Sequence, residues 1–293
     1  MRTHIPVLLN EVLDFLLVRK DGIYYDLTTG EGGHSLKIAE YLNKNGQLVC
    51  FDRDHEIQKL AKNNLSNFSN IQFTLNNFTQ LKDVTNEFQF KNVTGILADL
   101  GLSMFHYKVS EKGFSFLKDD ELNMSLDHSH PNAYDVVNSF SQTEIADIIF
   151  QFGEERLSRR IASFIVAYRK NKKIETTKEL AEIIFKSYPG AKRKRNFHPA
   201  TKTFQALRIY VNKELDNLKS MINDSIEILE PGGRLIIISY HSLEDRIVKW
   251  AFREKAGENQ IKILTKRPII SSDEEIKENS SARSAKMRVV EKI

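Results

Sequence analysis

Hydrophobic and polar positions switch between two periods over the first hundred residues. Gly22-Ile23-Tyr24-Tyr25-Asp26-Leu27 reads as a strand, and a Gly-rich turn follows at Gly30 to Gly33. Leu36, Ala39 and Leu42 then recur at helical spacing. Gln47 to Asp52 reads as a second buried strand, and Ile57, Leu60, Ala61 and Leu65 mark the next helix. Ile71 to Leu75 and Val93 to Asp99 continue the alternation. Short apolar runs separated by helices predict βαβ units and a parallel, doubly wound sheet.

After Gly101 the period changes. Residues 105–212 carry no strand pattern, but helical spacing is strong at Ile145-Ala146-Ile148-Ile149, Ile161-Phe164-Ile165-Tyr168 and Leu180-Ile183-Ile184. A helix containing Asp224, Ile226, Ile228 and Leu229 leads to the turn Glu230-Pro231-Gly232-Gly233, and Arg234 to Tyr240 is again a strand. Ile261 to Lys266 and Lys286 to Glu291 suit an antiparallel edge pair, with Ser271 to Ser284 as a polar loop between them. Trp250, with Val248 and Phe252, is expected to anchor a helix to the sheet. The pattern predicts an α/β domain made of 1–104 and 213–293, interrupted by a helical insertion over 105–212.

Composition narrows the class. The 293 residues are 41% hydrophobic and 28% charged, the balance of a globular chain, which excludes wholesale disorder and collagen-like sequence. A single cysteine, Cys50, permits neither an internal disulfide nor a Cys-rich zinc site. Met1 to Asn10 has no signal architecture and no apolar run approaches the ~18 residues of a membrane span, so a soluble, cytoplasmic protein is expected.

Net charge is +4, but it is unevenly placed. From Arg156 to Lys213 there are 16 Lys or Arg against Glu175, Glu179 and Glu182, a local +13 inside an otherwise acidic chain. That asymmetry fits a polyanionic partner, with a solvated helical surface as the other reading. The densest run is Lys192, Arg193, Lys194 and Arg195; Phe197 and Phe204 nearby are candidates for stacking on unpaired bases or for the core.

Ligands of open α/β sheets bind beyond the carboxyl ends of the strands, where Asp26, Asp52 and Asp99 fall. Gly30-Glu31-Gly32-Gly33-His34 follows the first strand, and Asp52 follows Gly32 by 20 residues at the end of the second. Glycines that let the backbone approach a ligand, with an acid that accepts ribose hydroxyls, describe a nucleoside site; a tight turn with a capping aspartate is the alternative. Ser35 stands where a dinucleotide fingerprint has its third glycine, and no P-loop motif is present, so S-adenosylmethionine suits the site better than NAD.

Asp26-Leu27-Thr28-Thr29-Gly30-Glu31-Gly32-Gly33-His34-Ser35, Phe51-Asp52-Arg53-Asp54 and Asp99-Leu100-Gly101 resemble the RsmH/MraW family. So do Gly113-Phe114-Ser115-Phe116, Gly153-Glu154-Glu155-Arg156, the stretch His198 to Ala206, and Tyr240 to Arg246. The resemblance runs in register from His4 to Ser284. It implies a class I (Rossmann-like) methyltransferase that uses S-adenosylmethionine to methylate the exocyclic N4 of a cytosine in the decoding region of 16S (small-subunit) ribosomal RNA. The cofactor contacts it implies fall on Gly32, Gly33, His34, Asp52, Phe78, Asp99 and His106. Three stretches depart from the family pattern: Leu102 to His106 replaces Val-Ser-Ser-x-Gln, Leu122 to Leu126 replaces Leu-Asp-Met-Arg-Met, and Leu27 replaces a small residue.

The chemistry places further expectations on this chain. Carbon-5 methylation of cytosine needs an attacking thiolate, and Cys50, two residues before Asp52 in a strand, reads as core. The acceptor is then an amine or a ribose oxygen. Asp99 or nearby backbone carbonyls are the candidates for accepting the amine's hydrogens, and His241 for positioning the base or taking a proton, unless its role is a structural hydrogen bond; the sequence assigns no general base. RNA contacts are expected at Lys192, Arg193, Lys194, Arg195, Lys202 and Arg208. No metal is called for, and His128-Ser129-His130 reads as loop. The oligomeric state, a homodimer included, stays open. A non-catalytic RNA-binding or assembly protein and an NAD-dependent reductase are the competing functions.

Overall fold

The computed structural model describes residues 5–101, 112–127, 130–190 and 198–293. His106, Lys192, Arg193, Lys194, Arg195, Phe197 and the altered stretch Leu102 to His106 lie outside the described residues. Two compact units emerge, Met1–Ser103 with Leu215–Ile293, and Met104–Glu214.

The first unit is built on seven strands: β1 (Ile23–Asp26), β2 (Gln47–Phe51), β3 (Ile71–Thr74), β4 (Val93–Asp99), β5 (Leu229–Ser239), β6 (Ile261–Ile263) and β7 (Lys286–Lys292). Their order is β3-β2-β1-β4-β5-β7-β6. Strands β1 to β5 run parallel, and β7 pairs antiparallel with both β5 and β6. Alternate side chains on each strand enter opposite cores. Tyr25, Val49, Ile96 and Ile237 face one cluster; Tyr24, Leu48, Cys50, Leu97 and Ile236 face the other. Burial on both faces is why these strands read as continuous apolar runs.

Helices α1 (Leu9–Leu16), α2 (Gly33–Tyr41), α3 (His55–Asn64) and α4 (Leu81–Glu87) belong to the first unit. Helices α5 (Ala133–Ser139), α6 (Gln142–Gly153), α7 (Ser158–Arg169), α8 (Thr177–Ser187) and α9 (Thr201–Val211) form the second. Three of these open with reciprocal capping boxes, Asn132 with Asp135, Ser141 with Glu144, and Thr176 with Glu179. The chain returns through α10 (Glu214–Ile228), α11 (Ser242–Gly257) and α12 (Asp273–Glu278). Among the described residues no helix is long and apolar enough to cross a membrane.

Three expectations change. The segment Ser271 to Ser284 is not a loop but α12 followed by a 3₁₀ turn, Ser280–Ser284. Ser272 caps α12 by accepting the Glu275 N–H, and three acids fill the first turn, while no residue of the helix is buried. The turn Glu230 to Gly233 lies inside β5 as a bulge, because Val93 pairs with Leu229 but Gly95 with Arg234. Trp250 is exposed, whereas Val248 and Phe252 reach the core.

Gly95 shows how tightly the sheet is packed. A Cβ there would lie 2.7 Å from Tyr24 Cδ1 and 2.9 Å from Leu16 Cδ1. The Tyr24 ring is held in place: its hydroxyl donates to Arg19 O at 2.9 Å and accepts the N–H groups of Val18 and Arg19. Gly95→Ala should therefore destabilise the first unit by about 1–3 kcal/mol through overpacking, read as a lower urea midpoint. An unchanged midpoint would show that the ring yields.

Candidate active site

In the order β3-β2-β1-β4-β5 the strand sequence reverses between β1 and β4, and their carboxyl ends carry Asp26 and Asp99. Asp26 is 1% exposed. Its Oδ2 accepts the Ser35 hydroxyl at 2.6 Å and its Oδ1 the Thr28 N–H at 3.2 Å. Burial pushes its acid up to about 6 despite those bonds.

Asp99 is held by two hydrogen bonds, with His34 alongside. Its N–H donates to Thr28 Oγ1 at 2.7 Å, its Oδ1 accepts the Tyr240 hydroxyl at 2.7 Å, and its Oδ2 lies 3.9 Å from His34 Nδ1. Burial pushes the Asp99 acid up to about 7, the Tyr240 bond pulls it down, and the charges of Asp26 and Glu244 push it up again. Burial and the Asp99 charge also drive the Tyr240 hydroxyl well above its ordinary value, so it stays protonated and is the donor. His34 Nε2 lies 3.0 Å from Val7 O. A carbonyl only accepts, so that nitrogen carries hydrogen, which leaves Nδ1 on the side of Asp99.

The turn between β1 and α2 is fixed by Thr29 N–H to Phe51 O at 2.9 Å and Gly32 N–H to Thr29 O at 2.8 Å. Gly30 and Gly32 adopt φ of 55° and 89°, a region where glycine has no Cβ penalty. Gly32 opens α2 without a side-chain cap, so backbone N–H groups and the positive end of the helix dipole are presented there. Gly33 has a different cause: a Cβ would sit 2.6 Å from Pro6 Cγ. Packing against the N-terminal segment demands glycine at that position.

Asp52 follows β2. Its Oδ2 accepts the Gly30 N–H at 3.0 Å and its Oδ1 the Asp54 N–H at 2.9 Å, so it ties the glycine turn to the next helix. The residue that caps α3 is Asp54, which accepts from Glu56 and Ile57. Phe78 stands in the 3₁₀ turn Phe78–Gln80 after β3, half-buried against the core. His241 caps α11: its Nδ1 accepts the Glu244 N–H at 3.3 Å, and Glu244 Oε2 accepts the N–H groups of Tyr240 and His241. The ring's remaining nitrogen, Nε2, is buried and makes no hydrogen bond, although Glu244 Oε1 lies 3.2 Å away.

Tyr240 and Thr28 escaped sequence reasoning as site residues, and Asp26 was legible only as an acid at a strand end. The signals for Tyr240 are its place at the head of the family stretch Tyr240 to Arg246 and its position just beyond β5, the neighbour of β4. Cys50 is fully buried, its thiol 3.4 Å from Ser35 Oγ and pushed up to about 12 by burial.

In the second unit Arg208 makes a bidentate pair with Glu214, both bonds 2.9 Å, with little of either side chain exposed. Arg208, expected at RNA, is thus matched by an acid of its own unit. Lys202 Nζ donates to Glu154 O at 3.0 Å. Phe204 is 4% exposed, which settles its stacking-or-core alternative as core, and Phe116 packs edge-on against it at 5.1 Å. His130 pairs with Asp135 at 2.7 Å.

A family model described as the MraW methylase family matches residues 1–293. The chain is 41% identical over 309 residues to ribosomal RNA small subunit methyltransferase H of Halothermothrix orenii, covering 100% of this chain and 99% of the relative. It is 45% identical over 306 residues to the protein of that name from Clostridium botulinum, covering 99% of each. With the Thermosipho melanesiensis protein it shares 46% over 292 residues, covering 99% of this chain and 98% of the relative. Two acids, Asp26 buried and Asp99 part-buried, stand at the reversal of a parallel sheet beside a glycine turn tied to a second-strand carboxylate, and with relatives matched end to end the chain belongs to the MraW methylase family.

Proposed function

We propose that this protein transfers a methyl group from S-adenosylmethionine to the exocyclic N4 amine of a cytosine in 16S ribosomal RNA of the small subunit, in the cytoplasm. The observation that carries the reading is Asp99: a part-buried carboxyl, oriented by Tyr240 through one oxygen and pushed by desolvation up to about 7. The donor set fits the cofactor. Asp52 has the charge and acceptor geometry for a ribose diol, α2 presents an uncapped N-terminus to a carboxylate, and Phe78 offers an apolar edge to the adenine. When bound, the cofactor supplies an electrophilic methyl group on a sulfonium.

The N4 lone pair of cytosine is delocalised into the ring, which makes the amine a poor nucleophile. Asp99 Oδ2 accepts an N–H of that amine, which localises the lone pair on nitrogen, and takes the proton that leaves as the N–C bond forms. Tyr240 keeps the carboxylate aimed, and the buried surroundings hold bulk water out. His34 and Gly32 line the same turn. The basic residues of the insertion, Lys192, Arg193, Lys194, Arg195 and Lys202 among them, engage RNA phosphates, so residues 105–212 act as the RNA-recognition domain.

A carbon-5 route would need Cys50 as a thiolate, which burial opposes. Cys50→Ala should leave methyl transfer intact in protein that folds; abolished transfer in such protein would revive the covalent route. The function itself is tested by mass mapping of 16S RNA from cells lacking the protein. Loss of one methyl from a cytosine, restored by the unaltered chain and not by Asp99→Asn, is expected. An unchanged RNA would defeat the proposal.

A further inference from the structure

Trp250 is the chain's single tryptophan, and 57% of it is exposed on α11. Val248 and Phe252 on either side of it are buried against the sheet. Two cations lie over the indole: Lys249 Nζ is 5.5 Å and Arg253 Cζ 5.0 Å from the ring centroid. Among the described residues neither pairs with a carboxylate, whereas Lys255, farther along the helix, is held by Glu258 at 3.0 Å. Exposed Arg246 stands one turn before the indole and exposed Glu254 one turn after it.

An acid three or four residues away can match a cation on a helix face, as Glu258 does Lys255; Asp245, four residues before Lys249, is instead held by Arg288 and Lys286. Here two positive charges are instead gathered on the largest exposed aromatic ring. An aromatic platform flanked by Lys and Arg is the arrangement that binds single-stranded nucleic acid, the ring stacking on a base and the cations meeting phosphates. We infer that this face of α11 is a contact surface for single-stranded RNA, with an unpaired base on Trp250 and flanking phosphates on Lys249 and Arg253. The charge sign favours a polyanion. This inference rests on the reading of the chain as an RNA methyltransferase and adds an RNA contact on the unit that carries the sheet.

Because Trp250 is the only tryptophan, its emission reports on this surface alone. Titration of the full chain with a fluorescein-labelled single-stranded oligouridine should quench that emission at the concentrations where anisotropy shows binding. Trp250→Ala should weaken binding by about 5- to 150-fold, the loss of one stacked base, and Trp250→Phe should recover part of it. The double variant Lys249→Ala with Arg253→Ala should flatten the log K against log salt slope by about 1.4. Affinity for S-adenosylmethionine should stay unchanged in every variant. RNA binding by anisotropy with unquenched emission and an unaltered slope would overturn the inference. So would a blue shift of emission that follows protein concentration without RNA, which would make the face a contact between copies. No RNA binding together with no methyl transfer would remove the functional reading first, and the inference with it.

Discussion

Asp99→Asn should lower the rate of methyl transfer by about 10²–10⁴-fold, the usual contribution of a positioned proton acceptor. Asparagine keeps the shape, and its carbonyl can still accept from Tyr240, but its amide cannot take a proton. Affinity for S-adenosylmethionine, measured calorimetrically, should change far less than the rate. The wild-type rate should fall as pH drops through about 7, because the Asp99 acid is pushed to that value and only the ionised form accepts. Tyr240→Phe removes the hydrogen bond that pulls this acid down. A hydrogen bond to a charged group contributes about 1.5–3 kcal/mol, so the midpoint of the acid limb should move upward by about one pH unit or more. A Tyr240→Phe enzyme whose pH profile matches the wild type would separate the tyrosine from the carboxylate's function.

Asp52→Ala should weaken S-adenosylmethionine binding by about 10- to 100-fold, the loss of charge-assisted bonds to a ribose diol. Asp52 also holds the Gly30 and Asp54 N–H groups, so alanine loosens the turn as well. Asp52→Asn distinguishes the two effects: its carbonyl oxygen keeps one backbone bond while the charge is lost. An intermediate dissociation constant for asparagine, with the far-ultraviolet spectrum unchanged, is expected. Equal affinity in wild type and alanine variant would show that this carboxylate serves only the turn.

The sheet was legible because both of its faces are buried, which leaves strands such as Val93 to Asp99 with no polar side to obscure them. The site was legible where it lies at strand ends, as with Asp26, Asp52 and Asp99. Tyr240 was not, because its bond to Asp99 joins residues 141 apart and leaves no local pattern. Trp250 misled for a geometric reason. Two residues along a helix turn the side chain by roughly 200°, so a tryptophan between buried Val248 and Phe252 must face away from them. Helix α12 buries nothing and therefore shows no apolar stripe. The pairing of Arg208 was not visible in the +13 count, because Glu214 stands one residue past the counted stretch. The packing of Gly33 against Pro6 was not legible, because the two are distant in sequence.

The most direct test of the central claim is the identity of the methylated atom. Purified protein, small ribosomal subunits from cells lacking it and methyl-labelled S-adenosylmethionine are incubated, and the RNA is digested to nucleosides for mass spectrometry. Label recovered as N4-methylcytidine, absent with Asp99→Asn, is the predicted result. Label recovered as 5-methylcytidine or a ribose-methylated nucleoside, or no transfer by protein that binds both cofactor and RNA, would contradict it.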